Sequence, residues 1–158
     1  MRQSLLSAPF LSSQDAKVGM IVSQCHVVAV KEWGVVVVIG SGAEADGNIR
    51  PKGIKAMIPG THLSDSGSRK SLKRIKIGSK LECRVLSIFV KDDENPTKIN
   101  RSRIVLTHKR SLVHNDELPL LLHISEAVVG NVHHGFVSSI KGYGILIRFF
   151  GKVIHNCR

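Results

Sequence analysis

A chain of 158 residues can bury the core of one ordinary domain or two small ones, and its 42% hydrophobic content, rich in Val and Ile, excludes a disordered tail and favours strands. Its 23 Lys and Arg outnumber 12 Asp and Glu, and the formal charge of +11 points to a polyanionic partner, most often nucleic acid. Three dispersed cysteines, Cys25, Cys83 and Cys157, argue against a disulfide framework and for a reducing compartment, and no apolar run approaches the roughly 20 residues of a membrane-spanning helix.

From the N-terminus, residues 1–16 read as a lead-in from a preceding repeat. Their opening, MRQSLLSAPFLSS, is broken by Pro9, which makes it a poor secretory signal and a weak mitochondrial one. Residues 20–31 are apolar and β-branched and predict a long first strand. Glu32, Trp33 and Gly34 form a turn, and VVVVI at 35–39 is the second strand of a hairpin. GSGAEADGNIRPKG at 40–53 reads as a loop; it matches neither GxxxxGK[ST] nor GxGxxG and is no nucleotide cradle. IKAMI at 54–58 alternates as a third strand and is stopped by Pro59 and Gly60. Residues 61–77 are polar and basic without a helical period. At 79–90, Leu81, Cys83 and Val85 alternate with Lys80, Glu82 and Arg84, the pattern of a fourth strand with one buried face. A charged turn at 92–98 leads to a fifth strand at 103–107. Five short strands with no helix longer than a turn or two predict an all-β fold, a five-stranded closed barrel over 17–109. Residues 110–127 are a linker, with Pro119 interrupting a short amphipathic turn.

The sequence also repeats. VGMIV at 18–22 returns as VGNVH at 129–133, and VKEWGV at 30–35 returns as IKGYGI at 140–145, each about 110 residues later. Residues 128–158 therefore open a second copy that runs out soon after its first hairpin. A barrel cannot close on so little chain, and the apolar face of that hairpin is expected to stay partly exposed.

These residues carry a resemblance. Gly19 and Val22, Trp33-Gly34 with Val37, Ala56-Met57-Ile58-Pro59, His62-Leu63-Ser64, the stretch 78–87 and RIVLT at 103–107 together resemble the S-one domain. That is the OB-fold RNA-binding module named after a bacterial small-subunit ribosomal protein. LLSAPF at 5–10, LTHKRSL at 106–112 and HGFVSSIKGYGILIRFF at 134–150 look like a nucleolar, ribosomal RNA-processing branch of it, with many such domains in tandem. The resemblance implies a non-enzymatic scaffold in the nucleus and nucleolus. Its partners would be single-stranded or structured precursor ribosomal RNA and ribosome assembly factors, with no membrane, small-molecule substrate or cofactor. The chain also departs from the family pattern. Val36 stands where a second aromatic is usual, Pro59 replaces a His after the third strand, Leu146 repeats the aromatic loss, and IHNCR at 154–158 does not fit an apolar third strand.

The candidate RNA-binding residues are Lys31, Trp33, Lys55, His62, Arg69, Lys70, Lys73, Arg74, Lys76 and Tyr143. Trp33 and Tyr143 offer a π-face to an unstacked base; the plainer alternative is a turn aromatic that caps the core. RKSLKRIK at 69–76, five cations without an acid, suits phosphate rather than base contact, the alternative being a solvated loop. Arg50 flanks the same face as Lys31 and Lys55. The eight histidines lack Cys or carboxylate companions at ligand spacing, so a metal site is not expected. No nucleophile is spaced with a base. A degenerate barrel serving as a protein-docking spacer in a pre-ribosomal particle is the alternative function. A mitochondrial or bacterial translation or RNA-decay protein is a weaker third.

Overall fold

The computed structural model describes residues 16–40, 42–45, 48–51, 53–66, 69–89, 103–114 and 118–157. The lead-in motif at 5–10 and the charged turn at 92–98 lie outside them.

Strand β1 (Ile21–Lys31) and strand β2 (Gly34–Ile39) form the first hairpin, and β3 (Gly42–Ala45) with β4 (Asn48–Pro51) forms a small hairpin of its own. The latter lies within the stretch expected to be loop. Strand β5 (Ile54–Pro59) is followed by a 3-10 turn at Gly60–His62, helix α1 (Arg69–Arg74), β6 (Lys80–Phe89) and β7 (Arg103–Thr107). Strands β1, β2, β5, β7 and β6 close in that order into a five-stranded barrel. Pairing is antiparallel except between β5 and β7. The expected strands and the expected all-β barrel are thus both present.

Closure follows from alternation. Val22, Cys25 and Val27 of β1, Val35, Val37 and Ile39 of β2, Ala56 and Ile58 of β5, Cys83 and Val85 of β6, and Ile104 and Leu106 of β7 form one buried core. A bulge in β1 between Val27 and Ala29 lets a long strand bend around it. Helix α1 corrects the expectation of an irregular basic stretch: Leu72, together with Ile75 just beyond the helix, packs against the core while Lys70, Lys73 and Arg74 stay outside. Two apolar anchors are too few to register as a helical period.

The chain continues through α2 (Arg110–Val113) and a 3-10 turn at Ile124–Glu126 into β8 (Phe136–Lys141), β9 (Gly144–Arg148) and β10 (Ile154–Cys157), a separate sheet in the order β10-β9-β8. Residues 154–157 form strand β10, whose backbone pairs with β9 along its whole length although three of its four residues are exposed, so it is a third strand without the apolar pattern. This sheet repeats β1, β2 and β5 closely. Val137 faces Ile147 as Val27 faces Val37, Ile140 faces Ile145 as Val30 faces Val35, and the bulge recurs between Val137 and Ser139. Cys157 faces Ile145 as Ile58 faces Val35.

The two units touch. Leu86 and Val105 on the outside of the barrel form a second core with Leu112 and Phe150, against which Val18, Met57, Leu120, Leu122 and Phe136 pack. The Gly151 N–H donates to the Leu86 carbonyl at 2.8 Å.

Candidate nucleic-acid interface

The turn that carries Trp33 is built on its glycine. Gly34 has φ +151°, and a Cβ there would meet the Ile58 carbonyl oxygen at 2.2 Å. Gly144 repeats this at φ +144°, with the Cys157 carbonyl at 2.3 Å from a Cβ. In both copies, therefore, the residue after the aromatic must be glycine so that the third strand can approach. The Gly60 N–H donates to the Trp33 carbonyl at 2.9 Å, which ties the hairpin turn to the 3-10 turn after β5. The backbone is fixed while the ring is not buried: Trp33 is 53% exposed and Tyr143 65%, values that do not suit aromatics closing a core.

Around Trp33 the outward face of β1, β2 and β5 is assembled by register. Ala29, Val36 and Met57 stand side by side in its middle. Lys31 lies opposite Gly34, which lies opposite Pro59, and Lys55 lies opposite Val38. Both lysines are exposed. The face is apolar in its centre, with cations and one ring at its margins. Val36 and Pro59 supply no second ring or imidazole.

Helix α1 packs beside the Gly60–His62 turn, which itself adjoins β2, so the basic element and the Trp33 turn occupy the same end of the barrel. Lys70, Lys73 and Arg74 on α1 and Lys76 just after it are exposed. Arg69 is the first residue of α1, and nothing further is described for its side chain. A hydrogen bond between the Ser64 and Ser71 hydroxyls, 2.7 Å long, fastens the helix to the preceding loop. The carboxylate of Asp65 accepts from the backbone N–H of Ser111 at 3.3 Å and from its hydroxyl, and the hydroxyl bond above all holds its pKa below the ordinary value. Tyr143 and Lys141 stand in the corresponding turn of the second unit, away from α1 in the chain.

His62 is placed differently from the other candidates. It is buried, with Nδ1 3.2 Å from the Thr107 hydroxyl oxygen and the ring in a T-shaped contact with Phe136 of the second unit, centroids 4.5 Å apart at 89°. Burial first, then Lys109 and Arg148, lower its pKa to about 4, so the imidazole is neutral near pH 7. At 6% exposure, His62 has little ring surface open to a base. The sequence had no signal for this, because the partner ring belongs to a different repeat. The contact residues Leu86, Val105, Phe136 and Phe150 were missed for the same reason. An apolar residue on the outer face of a strand, such as Leu86 next to the inward Val85, was the available clue.

Among the described residues no three His, Cys, Asp or Glu side chains group as a metal site. Cys25 and Cys83 are buried and free; their mutual contact and burial push the Cys83 thiol far up.

No family model matches the chain. It is 31% identical over 96% of its length to the rRNA biogenesis protein rrp5 of Schizosaccharomyces pombe, and 30% identical over 97% to the rRNA biogenesis protein RRP5 of Arabidopsis thaliana. It is also 31% identical over 65% of its length to the small ribosomal subunit protein bS1 of a Synechococcus strain, of which it covers 27%. The chain spans only 8% and 7% of the two RRP5-type relatives. With its OB barrel and internal repeat, the chain is a homologue of a short stretch of the RRP5-type rRNA biogenesis proteins, and its resemblance to the S-one domain is consistent with that.

Proposed function

We propose that this chain is a non-enzymatic RNA-binding segment that acts on precursor ribosomal RNA in the nucleolus, within small-subunit assembly. The observation that carries the reading is the exposed Trp33 ring at the same end of the barrel as the exposed cations of α1, in a chain of charge +11 whose relatives are rRNA biogenesis proteins. Trp33 stacks one unstacked base, and Lys70, Lys73, Arg74 and Lys76 hold the adjoining phosphates, which positions the strand without reading its sequence. Lys31 and Lys55 supply further backbone contacts across the sheet. A single ring gives modest affinity, and tandem repeats raise it through effective concentration.

Nitrogen-15 NMR titration with an unstructured single-stranded RNA tests the site. Shifts at the Trp33 indole and at the amides of α1 are expected. Shifts confined to surfaces remote from both would contradict the reading. The apolar middle of the face, Ala29 and Val36, favours docking on an assembly factor as the second reading, and an absence of RNA-induced shifts from the folded chain at low salt would promote it.

A further inference from the structure

The contact between the units brings two cations to one place. Lys109 follows strand β7: its backbone N–H donates to the Thr107 hydroxyl at 3.3 Å, and that hydroxyl lies 3.2 Å from Nδ1 of His62. Arg148 belongs to the second unit, where its register partner on β8 is Phe136, the ring in contact with His62. Its neighbour Ile147 takes the register of the inward Val37, so Arg148 stands on the outer face of its sheet, the face that meets the barrel. One cation from each repeat therefore flanks the same buried imidazole. Burial contributes most to the lowered His62 pKa, and the charges of Lys109 and then Arg148 add to it, an independent sign that both stand close.

Lys109 is half-buried and Arg148 exposed. Asp65 lies near Lys109, but its carboxylate is engaged by the N–H and hydroxyl of Ser111, and among the described residues neither cation forms an ion pair. Two like charges beside one imidazole repel, and an anion between them relieves that repulsion. The place also adjoins the basic end of the barrel. Helix α1 packs on the Gly60–His62 turn, and the Ser64 and Ser71 hydroxyls join the helix to the loop that follows.

We propose that this junction is a composite phosphate-binding site: the RNA strand that meets Trp33 and α1 continues onto the second unit, its backbone held between Lys109 of the first repeat and Arg148 of the second. The proposal rests on the RNA-binding reading above and extends it from one barrel to the packed pair. Contacts of this kind position the strand without reading its bases. Because the packing of Phe136 and Phe150 brings Arg148 to Lys109, RNA binding and the contact between units strengthen each other.

The test uses the whole chain and an unstructured oligouridine of about 12 nucleotides, titrated at several salt concentrations. Lys109→Gln combined with Arg148→Gln, which keeps both stems, is expected to lower the salt slope by about 1.4, or about 25-fold weaker binding at 0.1 M salt with no difference at 1 M. Phe150→Ala removes a buried side chain that touches no RNA, yet is expected to lower the slope by about 0.7, and adding Arg148→Gln to it changes nothing further. Bound RNA in turn slows hydrogen exchange at the Gly151 amide, which donates to the Leu86 carbonyl across the contact. A wild-type slope in the Lys109 and Arg148 double variant, with the loss from Trp33→Ala intact, would overturn this proposal and leave the Trp33 site standing. Additive losses from Phe150→Ala and Arg148→Gln would overturn it as well, because Arg148 would then act apart from the junction. No binding by the folded chain at low salt would overturn both readings.

Discussion

At the scale of single residues, the Trp-Gly and Tyr-Gly pairs combine two demands. The glycine serves the fold and leaves the ring free for a ligand. Gly34→Ala forces a Cβ against the Ile58 carbonyl in a backbone region L-residues avoid, and is expected to cost on the order of 2–3 kcal/mol. Urea unfolding of the barrel measures this. Gly144→Ala instead loosens β10 from β9 and leaves the barrel midpoint unchanged. His62 makes stability depend on pH in a defined direction. Its folded pKa of about 4 lies below the ordinary 6.5, so between these values the unfolded chain binds the proton and the folded chain does not. Stability therefore falls as pH drops from about 6.5 to 4, by up to about 3 kcal/mol, and is flat with respect to this group above 6.5. Thermal melts of wild type and His62→Gln across that window show the slope and its loss. Trp33 as a candidate was legible from the sequence, as an aromatic at a turn. The burial of His62 was not, because it depends on Phe136, and no local pattern announces a contact between repeats.

Among the elements, the strands were readable because each is bounded by glycine, proline or a charged turn and alternates within. Strand β10 escaped that reading because both its faces are largely polar or exposed, so backbone pairing with β9 rather than burial defines it. Helix α1 escaped because its apolar anchoring comes down to Leu72 and Ile75, and the β3–β4 hairpin because Gly and polar residues dominate it. The contact between units rests chiefly on Phe150, the largest fully buried side chain among the described residues, which packs with Leu86 and Val105. Phe150→Ala is expected to weaken this contact by about 3–5 kcal/mol. Hydrogen exchange then shows faster exchange at the Gly151 amide and through β8–β10, with protection of β1, β2 and β5 retained. Equal loss in both units would mean that they fold as one.

For the whole molecule, both repeats keep the aromatic-glycine turn, and among the described residues the first closes into a barrel while the second forms a three-stranded sheet. Composition alone indicated a polyanionic partner, and the repeat was visible at the sequence level. How the copies pack was not, because the packing surface is the outer face of the barrel, which alternation marks as solvent-facing. The cations of α1, clustered at the Trp33 end, turn a general basic character into a located one. Binding through them must weaken with salt, with a slope of about −0.7 per phosphate contact on a single strand.

The most direct measurement is fluorescence anisotropy of a labelled single-stranded RNA titrated with the chain at several salt concentrations. Trp33→Ala and the combined change of Arg69, Lys70, Lys73 and Arg74 to Ser are measured in parallel. Loss of one stacked base weakens binding about 5- to 150-fold with an unchanged salt slope. The four-residue change flattens the slope by about 2, as expected for some three phosphate contacts. Wild-type affinity and salt slope in both variants, or no binding by the folded chain at low salt, would contradict the account.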